Sequence, residues 1–165
     1  MIEMKISGIV LDPQSRSPII VLRDMDDRRA LLIWIGNVEA NAIMLILERI
    51  KLLRPITHDL INNIFQAINI TLQHVLINDM QESTFFAQLH LKTDNGKYII
   101  DSRPSDAIAL ALRSNAPIFV SEQVMATSSI PINPNQDEEE TQKFKRFIEN
   151  LKPSDFKIED SDAPK

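Results

Sequence analysis

Residues 101–113 have the sequence Asp101-Ser102-Arg103-Pro104-Ser105-Asp106-Ala107-Ile108-Ala109-Leu110-Ala111-Leu112-Arg113. Apolar residues in the second half recur at helical spacing, which predicts a helix with a buried face. Pro104 suits the first helical position, because its fixed φ fits there and its missing N–H needs no partner. Asp106 then falls near the third position, where a carboxylate can meet free N–H groups and the positive end of the helix dipole. Ile99 and Ile100 precede the stretch and indicate the end of a strand.

The junction between this strand and this helix gathers charged side chains. Asp101, Arg103 and Asp106 lie within six residues of one another. Functional residues often occupy such connections, because the flanking elements hold them in place. A helix cap supported by a local Asp–Arg pair would explain the same residues. The sequence leaves both interpretations open.

The composition indicates one globular domain. The chain has 165 residues, of which 44% are hydrophobic and 25% are charged, so it has enough apolar material for a core. No apolar run reaches the ~18 residues of a membrane span, and the first residues lack the layout of a signal peptide. The absence of cysteine excludes disulfides, thiolate metal sites and a cysteine nucleophile. We therefore expect a cytoplasmic protein without a membrane partner.

The charge balance limits how the chain could bind nucleic acid. The formal net charge is −5 and the pI is about 5.2, which disfavours a broad phosphate-binding surface. Any contact with nucleic acid must then be local, through a few arginines or through a metal ion. An acidic run at 137–140 and the C-terminal residues carry part of the negative charge, so the remainder is closer to neutral.

Periodicity predicts an α+β fold with antiparallel or mixed sheets and interleaved helices. We expect strands over 2–11, 18–22, 30–35, 71–79, 85–92, 97–100 and 117–120. We expect helices over 38–53, 59–67, from Pro104 onward, and briefly over 121–125. The first three strands should form an antiparallel meander, because their connections are too short for crossovers. The helix over 38–53 is apolar nearly all round, which is typical of a central helix or a subunit interface.

The chain divides into one domain and a C-terminal extension. We predict a domain over 1–128 and a proline-containing linker over 129–136. A C-terminal amphipathic helix and tail should occupy 137–158, and residues 159–165 should be disordered.

Several catalytic motifs are excluded by the sequence. Glycine occurs only at positions 8, 36 and 96, which rules out a glycine-rich phosphate loop and a Gly-x-Ser-x-Gly elbow. Three histidines remain, of which His74 and His90 fall within predicted strands. His58 is better placed, because Asp59 follows it at the predicted start of a helix; a polar residue beside a helix cap is the simpler interpretation.

The remaining charged residues could form a phosphodiester-cleaving site. Carboxylates hold Mg²⁺ or Mn²⁺, which prefer oxygen ligands, and arginine can clamp a phosphate. Metal-activated water beside such a clamp is a physical route to hydrolysis. We predict His58, Asp59, Asp101 and Asp106 as catalytic residues, Arg103, Ser105 and Arg113 as substrate-binding residues, and Asp101, Asp106 and Glu39 as metal ligands.

Several separate motifs, in order, resemble one family. They are Ile33-Trp34-Ile35-Gly36 with Glu39-Ala40, then Arg54-Pro55-Ile56-Thr57-His58-Asp59-Leu60, then Thr84-Phe85-Phe86-Ala87, and Asp101 through Ala111. Over about residues 2–127 the chain resembles the bifunctional nuclease domain family, formerly a domain of unknown function. Residues 151–156 are similar to a short tail of bacterial members. The resemblance implies a self-associating α+β domain that cuts RNA and DNA, an activity reported for plant members.

Three functional hypotheses follow. The first is a nuclease that hydrolyses RNA and DNA with Mg²⁺ or Mn²⁺, in which His58 is the general base or acid. The second is a non-catalytic adaptor or regulatory binding protein, a homodimer or larger homo-oligomer, associating through the helix over 38–53. The third is a sensor in which Arg103 and Arg113 bind an anionic metabolite.

Overall fold

The computed structural model describes residues 1–132, which form a single mixed sheet with helices. The strands are β1 (Ile2–Leu11), β2 (Pro18–Asp24), β3 (Arg29–Trp34), β4 (Thr71–Gln81), β5 (Thr84–Thr93), β6 (Gly96–Ser102), β7 (Ile118–Val120) and β8 (Ile130–Pro131). The helices are α1 (Asn37–Leu47), α2 (Thr57–Ala67), α3 (Pro104–Ser114) and α4 (Glu122–Ser128). The predicted α+β class is confirmed.

The sheet joins two antiparallel meanders through one short strand. Within the described residues its order is β6-β5-β4-β7-β1-β2-β3-β8. β7 pairs with β4 in parallel and with β1 antiparallel, so it connects the two groups of strands that the sequence predicts. β8 pairs with β3 and uses the first residues of the predicted linker over 129–136. The remainder of that linker, and the predicted helix and tail, lie outside the described residues.

Helix α3 is the centre of the core. It packs against α1, α2, β4 and β5, and it buries nearly every residue from Pro104 to Ala111. Small side chains such as Ala107 and Ala111 allow this close approach, while Ile108 and Leu110 fill the space toward the sheet and helices. The first turn of α3 is therefore held firmly in place.

Helix α1 is shorter than predicted. It ends at Leu47, because Arg49 adopts a left-handed backbone with a φ of 56° and the Ile50 N–H donates to the Leu45 carbonyl at 2.9 Å. The predicted helix over 38–53 is thus wrong beyond Leu47. Helix α1 also buries Ala40, Ala42, Ile43 and Met44, which leaves less of it for self-association than the sequence suggests.

Two histidines stack on one face of the sheet. His74 of β4 and His90 of β5 are cross-strand partners with ring centroids 4.1 Å apart, and Phe119 meets His74 edge-on. Both Nε2 atoms are buried without a hydrogen-bond partner among residues 1–132. Burial lowers the pKa of both imidazoles, and the neighbouring His90 lowers the pKa of His74 further.

This pair should make the protein less stable in mild acid. Below the unfolded-state histidine pKa of about 6.5, the unfolded chain binds more protons than the folded one, so the free energy of unfolding falls as pH drops. Between pH 7.5 and 5.5 we expect a loss of at most about 1.4 kcal/mol per histidine, measured by urea denaturation. Over this range the variant His74→Phe/His90→Phe should lose less of its free energy of unfolding. An equal loss in that variant would show that the two histidines do not cause the pH dependence.

Candidate functional site

Arg103 and Asp106 form a forked ion pair at the start of α3. Arg103 occupies the N-cap position in extended conformation, Pro104 is the first helical residue, and Asp106 lies in the first turn. The Arg103 Nε donates to Asp106 Oδ2 at 2.7 Å and its Nη2 donates to Oδ1 at 3.1 Å. The fork fixes the guanidinium plane relative to the helix. A local Asp–Arg pair, one of the two interpretations that the sequence leaves open, is therefore present.

Two distant residues join this pair. His58 of α2 places Nε2 3.0 Å from Asp106 Oδ1, and Arg103 Nη1 donates to Glu39 Oε1 of α1 at 2.9 Å. We call Glu39, His58, Arg103 and Asp106 the polar cluster. Its members come from the first turns of three helices, whose N-termini the packing around α3 brings together.

The hydrogen bonds of the polar cluster favour the charged forms of Asp106 and Arg103. Burial opposes ionisation of Asp106, but the bonds from Arg103 and His58 outweigh it and lower the pKa of that carboxyl. The same bond to Asp106, with a second to Glu39, raises the pKa of Arg103. Because an ionised carboxylate can only accept, the Nε2 of His58 is the donor. In neutral His58 the free lone pair therefore lies on Nδ1.

A pocket of about 710 Å³ lies beside the polar cluster. All four members of the cluster line it, together with polar Asn41, Thr57 and Ser102. Its apolar wall comes from α1, α2, α3, β5 and β6 and consists of Val38, Ala42, Ile56, Ile61, Phe65, Leu89, Leu91, Ile100 and Leu110. Mostly apolar walls with a few convergent polar groups are typical of ligand sites.

A second pocket of about 450 Å³ adjoins the same ion pair. Glu39 and Arg103 line it as they line the first pocket, and Trp34, Phe85 and Ser105 contribute further walls. Trp34, which is 55% exposed at the end of β3, is not among the predicted site residues. One sequence signal could have indicated a role for Trp34. It is a tryptophan two residues before the glycine that ends an apolar strand.

Gly36 leaves room for the carboxylate of Glu39. A Cβ at this position would lie 2.3 Å from Glu39 Oε2, although the backbone angles of −78° and 161° suit alanine. We expect Gly36→Ala to cost about 0.5–1 kcal/mol of folding free energy by displacing that carboxylate. The cost should shrink in a Glu39→Ala background, as a double-mutant cycle by thermal denaturation would show. Equal costs in both backgrounds would contradict this explanation.

Asp59 and Arg113 form a separate structural pair. Arg113 donates through Nε to Asp59 Oδ1, through Nη1 to the Ala109 carbonyl at 2.9 Å, and through Nη2 to the Ala42 carbonyl at 3.1 Å. Its side chain is only 5% exposed. Burial opposes ionisation of Asp59, but the bonds from Arg113 and from the Ile56 N–H lower its pKa overall. This pair ties α3 to α1 and α2, and neither residue lines the two pockets.

The other two predicted site residues, Asp101 and Ser105, are not members of the polar cluster. Strand β6 extends to Ser102, and side chains alternate along it, so Asp101 faces away from the first pocket that Ile100 and Ser102 line. Asp101 therefore does not line that pocket, and its predicted catalytic and metal-binding roles stay predictions. Ser105 is buried and lines the second pocket.

The donor set does not fit the predicted Mg²⁺ or Mn²⁺ site. Within residues 1–132, no three histidine or acidic side chains are grouped as a metal ion would need. Both oxygens of Asp106 already accept from Arg103 or His58, Glu39 accepts from Arg103, and Asp101 faces elsewhere. Divalent cations of this kind require several free oxygen ligands.

The fold and the polar cluster define an α+β domain with one charged cleft, and sequence comparison gives its family. The model of the bifunctional nuclease domain matches residues 20–133, so the chain belongs to that family. An uncharacterized protein of Mycobacterium tuberculosis (strain H37Rv) is 39% identical over 163 residues, covering 94% of this chain and 98% of that protein.

Plant proteins are similar over a shorter region. Bifunctional nuclease 1 of Oryza sativa subsp. indica is 30% identical over 118 residues, covering 68% of this chain and 35% of the rice protein. Bifunctional nuclease 1 of Arabidopsis thaliana is 31% identical over 108 residues, covering 62% of this chain and 33% of that protein. Among the described helices, none combines the length and apolar character needed to cross a bilayer.

Proposed function

We propose that this protein is a nuclease that hydrolyses phosphodiester bonds in RNA and DNA at the first pocket. The observation that carries the proposal is the meeting of His58, Asp106 and Arg103 beside an open cleft, although 48 residues separate His58 from Asp106 in the chain. The names of the plant relatives support the same reaction class.

In the proposed reaction, His58 is the general base. Its Nε2 is held by Asp106, so Nδ1 can take the proton from a water molecule as the water oxygen attacks phosphorus. The bond from phosphorus to the leaving oxygen breaks, and that oxygen takes a proton from solvent. Asp106 positions the imidazole and stabilises it once it is protonated.

Arg103 would hold the scissile phosphate. It is 65% exposed, and its three bonds to Asp106 and Glu39 leave two of its five N–H groups without a partner among the described residues. Phosphate oxygens suit such paired donors. The predicted requirement for Mg²⁺ or Mn²⁺ stays a prediction, and no step here runs through a metal ion.

The test is a cleavage assay with purified protein. Labelled single-stranded RNA and DNA are incubated with Mg²⁺, with Mn²⁺ or with EDTA. We expect cleavage by the natural protein and roughly a hundredfold slower cleavage by His58→Gln, whereas His90→Gln serves as the matched control and should cleave normally. Absence of cleavage in every condition, or full activity of His58→Gln, would refute the proposal.

A homo-oligomeric adaptor is the second candidate, because apolar side chains are exposed on two elements. Leu60 and Ile64 of α2 and Ile68 just beyond it are 52%, 47% and 60% exposed at four-residue spacing. Edge strand β6 exposes Ile99 by 60% and Tyr98 by 50%. Exposed edge strands readily pair with another chain.

Sedimentation velocity at micromolar concentration tests self-association. The adaptor proposal expects a dimer or larger species that Ile64→Glu converts to monomer, while Met25→Glu, in an exposed turn, leaves it intact. A monomer at every concentration would eliminate the homo-oligomeric adaptor.

A further inference from the structure

The Arg103–Glu39 ion pair borders both pockets. Both residues line both pockets, the first of about 710 Å³ and the second of about 450 Å³. Arg103 Nη1 is 2.9 Å from Glu39 Oε1, and Glu39 is itself 21% exposed while Arg103 is 65% exposed. The two pockets therefore share this ion pair as part of their walls.

The charges of the polar cluster favour an anion that replaces Glu39. With His58 neutral, Asp106 and Glu39 together outnumber Arg103, so a phosphate meets net negative charge while Glu39 stays bound. A carboxylate and a phosphate use the same guanidinium donors. Glu39 is attached through a flexible side chain at the first turn of α1, whereas Asp106 holds Arg103 through a fork. Glu39 is thus the partner that Arg103 can exchange.

We propose that Glu39 occupies on Arg103 the position that a substrate phosphate takes, and that its release opens the second pocket to the adjoining nucleotide of a single strand. This inference rests on the proposed function, because the ligand is the same phosphodiester chain. Trp34 and Phe85 line the second pocket and offer aromatic surface on which an unpaired base can stack.

The second pocket also contains its own reporter. Trp34 is the only tryptophan in the chain, so its fluorescence reports on this pocket alone. An unlabelled strand that reaches the pocket should change the Trp34 emission over the same concentration range in which it binds.

Glu39→Gln and Asp94→Asn make a matched comparison. Each removes one negative charge, but Asp94 lies in the exposed turn between β5 and β6 and lines neither pocket. Binding of a labelled single-stranded oligothymidylate, measured by anisotropy in EDTA, should be about threefold to tenfold tighter for Glu39→Gln. Asp94→Asn should bind within about twofold of the natural protein, and melting curves check that both variants fold.

The possible outcomes separate this inference from the nuclease proposal. Binding by Glu39→Gln that is no tighter than natural would overturn it, and loss of metal-dependent cleavage in that variant would instead support the predicted role of Glu39 as a metal ligand. Cleavage together with an unchanged Trp34 emission would overturn the second-pocket subsite while the nuclease stands. Tighter binding with a Trp34 response but no cleavage would leave the subsite in place and refute the nuclease.

Discussion

Asp106→Asn should slow the cleavage of RNA and DNA by about a hundredfold or more. Asparagine is nearly the same size, but it is neutral and presents one oxygen, so it cannot accept the Arg103 fork and the His58 Nε2–H together. His58 would lose the partner that fixes its tautomer, and Arg103 would lose its anchor. The loss should appear mainly in kcat, because the residue acts through the imidazole.

The kinetic constants of the same variant distinguish positioning from a loss of fold. We expect kcat to fall while KM changes by less than about threefold, because Asp106 acts through the side chains it holds. Asp26→Asn, in an exposed turn between β2 and β3, is the matched control and should leave both constants unchanged. Circular dichroism checks that both variants fold. A natural rate in Asp106→Asn would remove Asp106 from the mechanism.

Arg113→Met should cause a large loss of stability, about 3 kcal/mol in urea denaturation. Methionine fills similar space but removes the guanidinium donors to the Asp59 carboxylate and to the carbonyls of Ala42 and Ala109. The stability of Arg113→Lys should lie between that of the natural protein and that of Arg113→Met, because a single ammonium cannot serve three acceptors in this geometry. Arg28→Met, at an exposed turn, should change stability by less than about 0.5 kcal/mol.

This effect should also depend on pH in a defined direction. The pKa of Asp59 is lowered in the folded state, so the pair stabilises the protein above the unfolded-state pKa of about 3.9 and the contribution disappears as pH falls further. The difference in free energy of unfolding between Arg113→Met and the natural protein should therefore become smaller in acid. If Arg113→Met cleaves normally at low temperature while its melting point falls, the pair is structural and the predicted substrate-binding role of Arg113 is wrong.

The length of α1 shows where sequence periodicity fails. Ile50, Leu52 and Leu53 continue an apolar pattern, yet they follow the left-handed turn at Arg49 and are 40%, 47% and 102% exposed. No proline or glycine lies between Leu47 and Leu53 to mark the end. Tertiary packing, which sets how much of α1 contacts α3 and β2, decided this boundary.

Asp101 shows how two residues of strand length change a site. The sequence placed it after the strand, next to Asp106, whereas β6 continues through Ser102. Since side chains alternate along a strand, extending β6 sends Asp101 to the face opposite Ile100 and Ser102. Strand ends depend on pairing with β5, which spans Ala87 to Thr93 opposite β6. Such pairing is invisible to local composition.

The sequence by itself determined the local part of this protein. It placed Pro104 and Asp106 at a helix start, indicated a local Asp–Arg pair as one interpretation there, and carried motifs that identify the family. These features depend on neighbours within one helical turn, so residue spacing suffices to predict them. Only the tertiary structure decided that Glu39 and His58 join the pair while Arg113 is buried elsewhere. Those distances follow from how three helices pack on one sheet, which long-range contacts fix.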